Sequence, residues 1–208
     1  MRLILALLSL CVALTAGAQE KSSKKKAGGH PPVIEGTKSE TYRKIGDTEL
    51  KVWVFDQAPK QTAPRPAIVF FFGGGWTGGS PTQFEPQSRH LAERGMIAIV
   101  ADYRVKTRQD AKPADCVSDA KACVRWVRAN AARLGIDPAR IAVAGGSAGG
   151  YLALMVGLSD DQTGPGGDPQ AKHSAKVSGV IDMYGVINFS KHGKGVVPGV
   201  SAAEQAAY

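Results

Sequence analysis

Ile141-Ala142-Val143-Ala144-Gly145-Gly146-Ser147-Ala148-Gly149-Gly150 is the stretch around which the rest of the chain is arranged. It reads as a short apolar strand, a glycine-packed turn with one serine at its apex, and the start of a helix. The pattern G-x-S-x-G in a strand-turn-helix setting is a nucleophile elbow, which strains the serine backbone and lifts the hydroxyl clear of the sheet. Only residues without bulk fit two places before and two after the serine, and here those are Gly145 and Gly149. The amide of Ala148 falls at a helix N-terminus, where an oxyanion is stabilised. Ser147 is therefore the candidate nucleophile.

About seventy residues upstream, residues 67–72 form a continuous β-branched and aromatic run. A run apolar on both faces fits a central parallel strand covered on each side. It leads directly into Gly73-Gly74-Gly75-Trp76. Consecutive glycines let the backbone approach a ligand closely with its amides pointing inward. Half an oxyanion hole is one reading; an ordinary tight turn is the other. A phosphate loop would need G-x-x-x-x-G-K-S/T, or a G-x-G-x-x-G that opens a helix, and neither is present.

The remaining segments supply a frame. Residues 41–45 and 50–55 flank Gly46-Asp47 and alternate as an antiparallel hairpin does. A proline-rich connector spans 57–66. A helix over 81–94 ends at Gly95, and His90 on it reads as a surface or packing residue. Residues 96–101 form a buried strand closing on Asp102-Tyr103-Arg104, with Asp102 anchoring the loop. The longest helix covers 113–134, with Cys116, Ala120, Cys123 and Val127 as its apolar stripe. Asp119 beside that stripe suits an ion pair or hydrogen bond. Seven residues of helix separate the two cysteines by roughly 10 Å, beyond the reach of a disulfide, so both read as buried thiols. A helix over 148–158 follows the elbow. The long loop 159–174 invites a role as a substrate-binding rim. Residues 177–183 form a further buried strand, 186–200 are loop-like, and 201–208 resemble a helix start. A hairpin followed by alternating strands and helices describes an α/β fold with a mostly parallel sheet and helices on both faces. In such sheets active groups collect at the carboxyl ends of the strands, where Gly73–Gly75 and Ser147 both fall.

Composition bounds the class. With 208 residues, 43% of them apolar and 21% charged, the chain is long enough for a domain with a proper core. The net charge of +8 is partly concentrated in Lys21, Lys24, Lys25 and Lys26. The other basic residues are interleaved with acids, which argues against nucleic acid as a partner. Residues 1–18 carry Arg2, an apolar stretch and a small-x-small cleavage pattern at Ala16-Gly17-Ala18, the build of a secretory signal peptide. The expectation is a secreted or periplasmic protein with no integral membrane span. Residues 19–39 read as a disordered basic leader holding His30, and 40–208 as the folded domain.

Four features in order resemble the α/β-hydrolase superfamily, in the esterase and lipase branch with an H-G-G-G-type loop, acetyl- and feruloyl-esterase-like. They are Phe72-Gly73-Gly74-Gly75-Trp76, Ala101-Asp102-Tyr103-Arg104, the helix ending Trp126-Val127-Arg128-Ala129-Asn130 before Gly135-Ile136-Asp137-Pro138, and Gly145-Gly146-Ser147-Ala148-Gly149-Gly150. The match covers roughly residues 40 to 190. The resemblance implies Ser147 as nucleophile, the amides of Gly74, Gly75 and Ala148 as the oxyanion hole, and Trp76 lining the acyl pocket. It implies no cofactor and no metal. The substrate it implies is a small ester or an acylated carbohydrate.

Two departures from the family stand out. The histidine before the glycines is Phe72 here, so packing must hold the loop. The family order is Ser, then Asp or Glu, then His, with the last two after later strands. Only 61 residues follow Ser147. His173 precedes the next strand, His192 lies just past it and Asp182 sits within it, so none takes the expected place. The expectation is that the domain lacks its last strands and that the acid and base lie beyond Tyr208. An exported serine peptidase of the same fold, and a non-catalytic or truncated hydrolase, are the alternative readings.

Overall fold

The computed structural model describes residues 29–57, 63–164 and 167–187. The signal peptide expected over 1–18, residues 19–28 of the basic leader, the helix start at 201–208 and His192 lie outside the described residues. The sheet lies in the unit Pro31–Tyr208.

Among the described residues the sheet has six strands, ordered β1-β2-β4-β3-β5-β6. β1 (Lys38–Ile45) and β2 (Thr48–Phe55) make the expected antiparallel hairpin, with an irregularity between Thr41 and Arg43. β2 also runs antiparallel to β4 (Ile97–Ala101). From there the pairs are parallel: β4 with β3 (Arg65–Phe71), β3 with β5 (Ile136–Gly146), and β5 with β6 (Gly179–Met183).

Alternation along β3 and β4 assigns each side chain to a face. Ala67, Val69, Phe71, Ile97 and Ile99 point to one core, with Cys116, Cys123, Val127 and Leu152. Ile68, Phe70, Ala98 and Val100 point to the other, with Phe84 and Ala92. The first core is covered by α3 (Pro113–Ala129) and α5 (Ala148–Leu158), the second by a 3-10 turn (Pro81–Phe84) and α1 (Glu85–Glu93). Helices thus cover both faces, as expected. Cys116 and Cys123 are free and buried; burial pushes the Cys116 thiol up to about 12 and keeps it protonated.

The structure corrects several boundaries. The leader expected to 39 ends earlier: Ile34 is buried in the second core and β1 begins at Lys38. The helix expected over 113–134 breaks at Asn130, whose non-helical backbone (φ −101, ψ 8) separates α3 from the one-turn α4 (Ala131–Leu134). Gly135, left-handed at φ 67, ends it. A one-turn α2 (Lys106–Gln109), closed by left-handed Asp110, has no periodic signature in the sequence. Finally, β6 is not buried. Ile181 is 51% exposed, and β5 is the one partner of β6 among the described residues.

The loop 159–174 is no rim beside Ser147. It leaves the end of α5, at the amino ends of the strands, and lies across α3. Arg125, itself buried, pairs with Asp161 at 2.5 Å and Asp168 at 2.8 Å. Lys121 donates to the Asp160 carbonyl, Arg43 to that of Gly167, and Arg128 to those of Ser174 and Lys176.

Candidate active site

Ser147 has φ 53 and ψ −120, a strained conformation for a residue with a side chain. Its surroundings leave no room to relax. A Cβ on Gly145 would strike the Gly149 carbonyl, and one on Gly149 would strike the carbonyls of Phe71 and Phe72 at the end of β3. Both glycines are therefore required by close backbone approach. The Ser147 amide donates to the Met183 carbonyl of β6 at 3.0 Å, and its carbonyl accepts from Tyr151 at 3.0 Å, the first turn of α5. Ala148 is the first residue of α5, so its amide has no intrahelical acceptor.

The glycine loop lies against this serine. A Cβ on Gly73 would sit 2.8 Å from the Gly146 carbonyl oxygen and 3.3 Å from the Ser147 Cβ. Gly74 (φ 142), Gly75 (φ 59) and Trp76 (φ 59) all have positive φ. The Gly74 carbonyl accepts from the amides of Thr77 at 3.1 Å and Gly78 at 3.3 Å. The Gly73 amide is taken by the Gln83 side chain at 2.5 Å. Trp76 meets Tyr151 edge to face, with ring centroids 5.5 Å apart.

Packing does hold the loop where the family has histidine, aided by hydrogen bonds the sequence did not suggest. Phe72 is buried and stacks on Tyr103 at 4.0 Å, and the Tyr103 hydroxyl donates to the Phe72 carbonyl at 2.7 Å. The Arg108 guanidinium bridges the Gly79 carbonyl and the buried Asp102 carboxylate, each at 3.0 Å. The amides of Lys106 and Thr107 donate to the carbonyls of Trp76 and Thr77. Asp102 is thus the structural anchor expected of it. Asp119 is more deeply set than a packing edge: it is fully buried between Arg43 at 2.7 Å and Arg104 at 2.8 Å. Burial raises its carboxyl above the ordinary range, against the opposing pull of Arg104 and Arg43.

Asp182 serves the backbone. Its Oδ1 accepts from the Gly185 amide at 2.8 Å, and the carboxyl packs against Gly150. His173 stands in the loop before β6, at the amino end of the strands and away from Ser147. His90 sits on α1, lining an apolar groove on that face with Ile68, Phe70 and Ile181. Among the described residues, no cluster of His, Cys, Asp and Glu is placed to hold a metal ion, and no helix is long and apolar enough to cross a membrane. The supporting residues missed from sequence are Gln83 and Arg108. Gln83 and Arg108 act through backbone groups far along the chain, which leave no spacing to read.

Known proteins resemble this chain in sequence and fold. A family model described as BD-FAE matches residues 55–206. Carboxylesterase NlhH of Mycobacterium tuberculosis is 43% identical over 122 residues, 58% of this chain and 37% of its own length. A probable carboxylic ester hydrolase of the same organism, LipM, is 34% identical over 133 residues, 62% of this chain and 30% of its own. The chain thus spans about a third of the length of the curated relatives it matches. Among solved structures, the thermophilic esterase Est2 of Thermogutta terrifontis superposes with a TM-score of 0.73 at 43% identity, covering 80% of this chain and 59% of that one. Esterase 2 of that organism phosphorylated by paraoxon superposes with a TM-score of 0.76 at 40% identity, covering 85% and 66%.

Proposed function

The chain belongs to the BD-FAE family of α/β-hydrolase esterases, and from that premise we propose that it is a carboxylic-ester hydrolase with Ser147 as nucleophile. The observation that carries the reading is the contact of Gly73 with Ser147: a left-handed serine and a positive-φ glycine loop, far apart in sequence, share one rim. Ser147 Oγ attacks the ester carbonyl carbon while a histidine takes its proton. The charge that develops on the carbonyl oxygen rests on the amides of Gly74, Gly75 and Ala148. Collapse of the tetrahedral intermediate releases the alcohol with that proton and leaves an acyl-serine. Water then attacks the acyl-serine and frees the acid and Ser147. Trp76 lines the acyl side. We place the acid and base outside the described residues, beyond β6.

The signal-like segment 1–18 supports an exported enzyme. Short acyl groups on an extracellular polysaccharide are the natural substrate in this reading. The test is hydrolysis of p-nitrophenyl acetate and of acetylated xylan by the full-length protein, acid and base included, and by its Ser147→Ala variant. The expected loss in kcat is on the order of 10⁴-fold or more. Equal rates would overturn the proposal.

A further inference from the structure

The turn after β6 presents a side chain that the chemistry above leaves unused. Tyr184 is bulky, yet its backbone is left-handed, with φ 51. Among the described residues it is 75% exposed, so burial does not compensate that conformation. Two bonds enforce it. Asp182 Oδ1 accepts from the Gly185 amide and closes the turn with Tyr184 inside it. The Met183 carbonyl accepts from the Ser147 amide at 3.0 Å. Tyr184 therefore starts one peptide bond from the group that holds the nucleophile's own amide.

The ring lies over the elbow. A Cβ on Gly146 would sit 2.8 Å from the Tyr184 hydroxyl and 3.0 Å from its Cζ. On the other side, the Gly73 loop closes against the Ser147 Cβ. The Gly73 loop and the turn holding Tyr184 thus flank Ser147 from β3 and from β6. Backbone strain of this kind gathers where a side chain must be presented rather than buried, and an exposed ring offers a flat face for stacking.

We propose that Tyr184 contacts substrate, its ring stacking on the organic group of the ester so that the site favours esters bearing a flat ring. The proposal rests on the ester-hydrolase reading of Ser147. Tyr184→Gly removes the ring and also relieves the left-handed backbone, so it tests the contact without a folding penalty. The ratio of kcat/KM for phenyl acetate over ethyl acetate is expected to fall about three- to tenfold in Tyr184→Ala and Tyr184→Gly, through KM, and to be retained in Tyr184→Phe. A structural role alone would shift both esters together and leave the ratio unchanged, and that result overturns the proposal. Binding of p-nitrophenol to the Ser147→Ala protein, followed by NMR, gives a readout free of turnover. It should move the Tyr184 ring signals and weaken about three- to tenfold when Tyr184→Gly is added; equal binding overturns the proposal. Should the full-length protein hydrolyse neither ester, the hydrolase reading falls, and this titration alone decides the role of Tyr184.

Discussion

The two sides of Ser147 are built differently. Toward β3 every group is constrained: Gly145 and Gly149 are fixed by facing carbonyls, Phe72 is stacked and buried, and Arg108 ties the glycine loop to Asp102. Toward β6, among the described residues, Ile181, Tyr184 and Ile187 are more than half exposed. The contrast separates two tasks. Holding a strained nucleophile beside its amide donors needs a preorganised frame whose groups cannot relax. Receiving the variable part of a substrate needs exposed surface.

Breaking the rigid side should cost most. Gly149→Ala drives a methyl group into the ends of β3, and we expect it to destabilise the fold by about 3 kcal/mol or more, read as a drop in denaturant midpoint. A fully stable variant would mean that the elbow is looser than described. Tyr103→Phe keeps the stack on Phe72 but deletes its hydrogen bond; about 1 kcal/mol should be lost, read in the same way. On the open side, Ile181→Ser should change stability by no more than about 0.5 kcal/mol. A large loss there would show that Ile181 is covered in solution and would erase the contrast.

Acid should act more locally still. Burial alone would raise the Asp161 carboxyl, but bonds from Ser174, the Ala175 amide and Arg125 outweigh it and hold the group below the usual carboxylate range. A depressed carboxylate contributes stability that is present above its unfolded pKa of about 4 and is lost as pH falls through the folded value. Loop 159–174 should therefore gain protease sensitivity below about pH 4, before the sheet opens. Equal sensitivity across that range would remove Asp161 as its clasp.

The rigid side was also the legible side. Gly145, Ser147 and Gly149 announce a strained turn because backbone conformation restricts residue type directly, and residues 67–72 announce a buried strand by composition alone. The glycine loop could be located, but not its supports. Gln83, Tyr103 and Arg108 reach it through main-chain carbonyls and amides, which place no demand on neighbouring sequence. Asn130 splits a helix whose apolar stripe ends before it, so periodicity could not reveal the break. Loop 159–174 misled because length alone suggests function, whereas Arg125 and Arg128, spaced along α3, lash it to that helix. Tyr184 carried no signal, since only the folded turn gives it a positive φ over Gly146.

Covalent labelling of Ser147 tests the central claim most directly. Paraoxon added to the full-length protein, acid and base included, should leave one diethylphosphoryl group on the peptide containing Ser147, seen by mass spectrometry. Ser147→Ala should remain unlabelled. An unmodified Ser147, or a label placed elsewhere and kept in Ser147→Ala, would contradict the assignment of this serine as the nucleophile.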